Sequence, residues 1–170
     1  MEAMGKVVAG RQIQVQPIDA AGFARFGQVI ETGGHVGLPI NQGKCLRFHD
    51  LAVPDIGANG RAGISLFRAE IRSLPYSLDM MERHPFGSQA FIPMGQGSML
   101  VTVSECLDGR PGVPRAFVAG PGQGVNIARN CWHGVLAPLS GRGTHAVIDW
   151  VGEECNLVEH WFEQPYIITA

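Results

Sequence analysis

The stretch that decides the fold runs from Tyr76 to Gly97, YSLDMMERHPFGSQAFIPMGQG. Up to His84 it reads as a strand. On an extended chain, successive side chains point to opposite faces, so Met80, Glu82 and His84 share one face while Met81 and Arg83 take the other. Pro85 biases His84 toward an extended conformation and removes a ladder donor, so the strand ends there. Gly87-Ser88 continue the turn and Gln89 opens the next strand, which closes before Gly95-Gln-Gly97. A carboxylate and an imidazole two residues apart can thus share one metal ion or one substrate. A strand whose polar side faces water would produce the same pair.

Outward from this stretch the period of two recurs, punctuated by Gly, Pro and Asp. It predicts strands over Gln28–Glu31, Lys44–Asp50, Gly63–Leu74, Tyr76–His84, Gln89–Met94, Met99–Glu105, Arg115–Ala119, Val125–Ala128, His133–Pro138, Thr144–Trp150 and Leu157–Glu163. Ile13 and Val15 alternate as a further short strand would. Asp19 can cap a short helix over Ala20–Phe26, ended by Gly27. Residues 1–10 carry no pattern and read as a loose leader. About a dozen short strands must hide their edges by closure or stacking. The expectation is an all-β barrel or two-sheet jelly roll with one or two short helices.

The chain has 170 residues, the size of one domain, with no linker, repeat or low-complexity tract. A domain of this length buries on the order of 70% of its unfolded surface and needs no disulfide or metal merely to fold. Charged residues are only 16% of the chain, which favours a well-filled interior and a second buried surface such as a dimer interface. Net charge is −2 and no basic run exists to neutralise phosphates, so nucleic-acid binding has little electrostatic support. The cysteines Cys45, Cys106, Cys131 and Cys155 form no CxxC pair, and no secretory signal core is present. Free thiols in a reducing cytoplasm follow. No apolar run reaches the roughly 20 residues needed to span a bilayer.

A second informative stretch is Gly120–Val135, GPGQGVNIARNCWHGV, in which a glycine-rich turn and a short strand lead to Trp132 and His133. Together the two stretches resemble the cupin superfamily, whose motifs are HxH, three or four residues, then E; and G, five residues, PxG, two residues, then H. Glu82-x-His84 and Gln89 occupy the first spacing. Gly122, Ala128-x-Asn130 and His133 occupy the second. The ligand chemistry departs from the superfamily pattern: Glu82 stands for the first His, Gln89 for the Glu, Ala128 for Pro and Asn130 for Gly.

Those departures resemble one subgroup, the ureidoglycolate lyases, through ERHPFGSQAFIPM at Glu82–Met94, AFVAGPGQGVNIARNCWH at Ala116–His133 and NQGKCLRFHDLA at Asn41–Ala52. FRAE at Phe67–Glu70 and AAGFARFGQVIE at Ala20–Glu31 add to the likeness. The resemblance implies a cupin-type barrel, a homodimer, and cleavage of (S)-ureidoglycolate to glyoxylate and urea. It implies Glu82, His84 and His133 as the catalytic set, acting directly as acid and base or holding a divalent metal, nickel or another. Gln89, Arg68, Arg47 and Asn41 are the expected substrate contacts. Hydrolysis to ammonia and carbon dioxide, or a non-catalytic cupin that binds a small acid, are the competing readings.

Other candidates have plainer explanations. Cys131 lies two before His133 and invites a nucleophile reading, but a buried free Cys is far more often a small apolar residue. His49 and Asp50 suit a strand end. Arg83 lies on the opposite strand face from His84, and Arg129 flanks the second motif. His35, His145 and His160 have no partner at a useful spacing.

Overall fold

The structure, a computed structural model, describes residues 11–170, so the leader expected over residues 1–10 lies outside the described residues. In chain order the elements are β1 (Gln12–Gln14), β2 (Gln16–Pro17), α1 (Ala20–Phe23), β3 (Gly27–Ile30), β4 (Leu38–Ile40), β5 (Cys45–Arg47), β6 (Arg61–Arg68), β7 (Tyr76–Arg83) and β8 (Gln89–Pro93). There follow β9 (Met99–Ser104), β10 (Cys106–Leu107), β11 (Arg110–Pro111), β12 (Arg115–Ala119), β13 (Gly124–Ile127), β14 (Trp132–His133), β15 (Ala137–Pro138), β16 (Thr144–Val151) and β17 (Val158–Thr169).

Two sheets face each other. The larger has eight strands in the order β1-β17-β7-β14-β9-β12-β2, with β15 also on β9; the smaller runs β3-β13-β8-β16-β6. Between them lies a core that includes Phe91, Val101, Val103, Phe117, Val125, Ile127 and Val147, and α1 plugs one end of it with Phe23. Its members recur at every second position of β9, β12 and β13, as a half-buried strand requires. The outer face of the larger sheet carries a second cluster of Leu78, Met81, Leu100, Ala116, Trp132 and Ile168, packed by Phe162 and Tyr166. Each face of a β9 strand that is buried throughout thus has its own core. The all-β, cupin-type expectation holds.

Several boundaries differ from the periodic reading. The helix stops at Phe23, three residues early, because the chain must turn to place Phe26 in the core and bring Gly27 into the β3–β13 ladder. The expected His133–Pro138 strand is split into β14 and β15. A β-carbon on Gly134 would lie 2.2 Å from Thr102 Oγ1, so glycine alone permits this close crossing over β9. The last strand is longer than expected and absorbs Pro165 in a bulge, since Met80 pairs with Trp161 but Leu78 with Tyr166.

That bulge matters for the site. Strict alternation along β7 would put Leu78 and Met81 on opposite faces, yet both are buried in the outer cluster. The phase therefore slips between them, and Ser77, Asp79, Met80 and Glu82 all line one cleft. Bulges beside active sites commonly re-aim a side chain in this way.

Candidate active site

Glu82 of β7 stands directly opposite His133 of β14 in the sheet register. His84 lies one residue beyond the end of β7, in the turn that Pro85 enforces. The three residues therefore come from a strand interior, its frayed end and a two-residue bridge. Each offers one ligand atom, and these atoms all lie within 4.8 Å of one another. His84 Nε2 is 4.0 Å from Glu82 Oε1, and the two imidazole rings are 5.1 Å apart, tilted by 39°. Met80 and Glu82 face the cleft while Met81 is buried in the outer cluster, as the local alternation predicts.

The tautomers follow from the hydrogen bonds. His84 Nδ1 lies 2.6 Å from the carbonyl oxygen of Asn156, and His133 Nδ1 lies 3.0 Å from that of Gly134. A carbonyl only accepts, so each Nδ1 must carry the proton and donate. In the neutral ring Nε2 is then the nitrogen with the lone pair, and both Nε2 atoms are buried without a partner.

Burial pushes the His133 imidazolium down to about 4, helped by the neighbouring charge of His84 and opposed by the Gly134 carbonyl. His133 is thus neutral at physiological pH. Burial pushes the Glu82 carboxyl up; the charge of His84 pulls it back and that of Glu159 adds to the rise. The site holds one reluctant acid beside the His133 imidazole, which keeps its lone pair.

These residues fit a divalent ion on a specific observation: two buried imidazole nitrogens have no protein partner, and each ring's other nitrogen is fixed by a backbone carbonyl, the usual support for a metal-ligating histidine. Ligand atoms on a tetrahedral ion at about 2.1 Å sit about 3.4 Å apart, so a trio whose ligand atoms lie within 4.8 Å of one another would draw together by up to about 1.4 Å to hold it.

Glu82 also lines an open cleft of about 310 Å³, together with Tyr76, Ser77, Asp79, Met80, Val135, Glu159 and Trp161. Sequence reading passed over Tyr76, Asp79, Glu159 and Trp161. The last two follow Glu82 and Met80 across the β7–β17 register, a pairing that periodicity alone cannot reveal. The Tyr76 phenol is pushed up by burial, pulled back by the charge of Arg72 and pushed further by Asp79.

Gln89 is buried, with its amide nitrogen donating to Asp149 Oδ2 at 3.1 Å and its Oε1 left without a partner. Asp149 thereby sets which end of the amide is free. The other expected substrate contacts lie apart. Asn41 and Arg47 belong to the exposed β4–β5 hairpin, where Arg47 donates to His49 Nδ1 at 2.8 Å, and Arg68 is exposed at the end of β6. None of the three lines the cleft, and neither does Gln89. Arg83 is stacked over Trp132 and donates to Asn130 Oδ1 at 2.7 Å; Arg129 pairs with Asp55. Asn130 has a φ of 61°, a left-handed conformation that favours Gly and that Asn tolerates, which accounts for the exchange of Gly for Asn in the second motif. The Cys131 thiol is buried and pushed up to about 12, which makes it a packing residue rather than a nucleophile.

The chain is matched over residues 10–169 by a family model described as ureidoglycolate lyase. It is 50% identical over 159 residues to "Ureidoglycolate lyase" of Rhodobacter capsulatus, covering 94% of this chain and 99% of the relative. It is 50% identical over 155 residues to "Ureidoglycolate lyase 2" of Rhizobium meliloti, covering 91% and 95%. The corresponding "Ureidoglycolate lyase" of Chelativorans sp. is 48% identical over 159 residues, covering 93% and 96%. Likeness of this extent on a barrel of matching class places the chain in the ureidoglycolate lyase family.

Proposed function

We propose that this chain splits (S)-ureidoglycolate into glyoxylate and urea, with Glu82, His84 and His133 as the reacting set. The observation that carries the reading is the convergence of one raised carboxyl and two unpartnered imidazole nitrogens, within a chain of this family.

The reaction needs the hydroxyl proton removed while the carbon–nitrogen bond breaks. Glu82, made more basic by burial, accepts that proton. The oxygen's electrons form the glyoxylate carbonyl, and those of the broken bond go to the urea nitrogen. That nitrogen takes a proton back from the Glu82 carboxyl, so the atoms balance without added water. His133, held neutral, brings a lone pair to the site instead of a charge. Gln89 Oε1 is free to accept a hydrogen bond from a substrate donor. Arg47, Arg68 and Asn41 are the further proposed contacts, by resemblance. In the alternative form of the proposal, Glu82, His84 Nε2 and His133 Nε2 would instead hold a divalent ion, nickel or another, which would supply Lewis-acid polarisation of the substrate oxygens.

Incubation with ureidoglycolate, with spontaneous decay subtracted, should release urea and glyoxylate in equal amounts. Ammonia without urea would replace this reading with hydrolysis, and tight binding without turnover would replace it with a ligand-binding cupin. Turnover before and after chelation, with His84→Ala as control, tests the metal: full activity in metal-stripped protein removes it.

The same proposal includes a second copy of the chain and a reducing compartment. Ile64 and Leu66 stand exposed on β6, the free edge of the smaller sheet, and Leu38 and Leu46 stand exposed on the β4–β5 hairpin. Light scattering should report a dimer. All four cysteines are free, which suits the cytoplasm. Among the described residues no helix is long and apolar enough to cross a membrane.

A further inference from the structure

His84 lies outside the β7 ladder, so the sheet does not hold it. Its turn is pinned from several sides. The His84 carbonyl accepts from Asn130 N–H at 3.1 Å, and the Phe86 carbonyl accepts from Gly57 N–H at 2.9 Å. Two further contacts, one to the His84 ring and one to the turn after it, come from one residue, Asn156, in the loop before β17. Its backbone oxygen lies 2.6 Å from His84 Nδ1, and its side-chain Oδ1 accepts from Phe86 N–H at 2.7 Å. The side chain fastens residue 156 to the turn, and the fastened backbone then presents its carbonyl to the imidazole.

We infer that Asn156 is a positioning residue of the site: by gripping the His84–Phe86 turn with its side chain, it aims its own carbonyl at His84 Nδ1 and so fixes the tautomer that leaves Nε2 open toward Glu82 and His133. The inference rests on the proposed role of His84, but it concerns a loop residue about seventy positions away in sequence that is hydrogen-bonded to neither Glu82 nor His133. A clamp built from a side chain and a carbonyl of one residue is sensitive to its length. Alanine abolishes the grip, whereas aspartate keeps an oxygen at the same reach for Phe86 N–H. Supporting bonds of this kind typically change metal affinity or activity ten- to a hundred-fold.

The test compares native chain, Asn156→Ala, Asn156→Asp and His84→Ala. Long-range proton–nitrogen spectra of the ring in mildly alkaline buffer read the tautomer without any metal or substrate. The native chain should show His84 protonated at Nδ1; Asn156→Ala should show a mixture of the two tautomers; Asn156→Asp should recover the native pattern. Nickel affinity, measured by competition with a chromophoric chelator, should fall about ten- to a hundred-fold in Asn156→Ala and recover in Asn156→Asp. The kcat for ureidoglycolate should fall by a similar factor with KM changed less than threefold. An unaltered tautomer with native kcat in folded Asn156→Ala overturns the positioning role. If Asn156→Ala fails to fold, a native tautomer and native kcat in Asn156→Gln, whose longer arm misplaces the oxygen, overturns it instead. Native turnover in His84→Ala defeats the parent proposal separately, because the tautomer spectra of the other chains do not depend on it.

Discussion

Glu82 and His133 sit directly across from each other in the β7–β14 register, so a titratable pair is built into the backbone pairing of the larger sheet. Neither side chain needs a long reach to meet the other. His84, by contrast, arrives from a turn and depends on contacts outside the sheet.

Glu82→Gln keeps the size and removes the base. Its kcat should fall by about 10²- to 10⁴-fold, the usual contribution of a positioned proton-transfer group. KM should change much less, and the urea assay under initial-rate conditions separates the two. A variant with native kcat would dismiss Glu82 as the proton acceptor.

The buried His133 ties stability to pH. Its pKa is 6.5 ordinarily and about 4 in the folded chain, so the unfolded state takes up the proton first as pH falls. Stability is complete above about pH 6.5 and declines between there and pH 4, by about 3 kcal/mol in all. Glu82 acts in the opposite sense: its raised carboxyl contributes most below its unfolded pKa, and that contribution is lost as pH rises through the folded value. Urea denaturation at pH 5 and pH 7.5 should show the native chain weaker at the lower pH. His133→Asn should lose most of that difference.

Asp149 orients the Gln89 amide through its bond to Nε2. In Asp149→Asn the partner can donate as well as accept, and the Gln89 amide is free to reverse. A hydrogen bond to a charged group is worth about 1.5–3 kcal/mol, so KM should rise roughly ten-fold or more with the fold intact. Unchanged steady-state constants would show that the free Oε1 does not meet substrate.

Gly134→Ala puts a methyl against Thr102 Oγ1 just after His133. Overpacking of this sort costs about 1–3 kcal/mol, and the strain falls on the bridge that carries the histidine. Both the denaturation midpoint and kcat should drop. A stable, fully active variant would mean that β14 can shift without moving His133.

Cys131→Ala should leave turnover within about two-fold, because a thiol with a pKa near 12 supplies almost no thiolate at neutral pH. Iodoacetamide should modify the exposed Cys45, Cys106 and Cys155 in the native chain and spare Cys131. Mass spectrometry of the labelled peptides reads this directly.

Much was determined by sequence alone. The period of two and its Gly and Pro punctuation identify an all-β chain, since alternation and turn chemistry are local properties of the backbone. Local geometry likewise puts Met80 and Glu82 on one face, and the resemblance carried by the two motifs points to Glu82, His84 and His133. Tertiary structure decided the rest. Only the β7–β14 pairing sets Glu82 opposite His133, only the bulge across from Pro165 brings Asp79 and Glu82 to one cleft, and only the loop before β17 brings Asn156 to His84. Each of these depends on which distant segment pairs with which, and in what register. Hydrogen bonding between backbones enforces that choice, and side-chain periodicity within a single strand leaves it open.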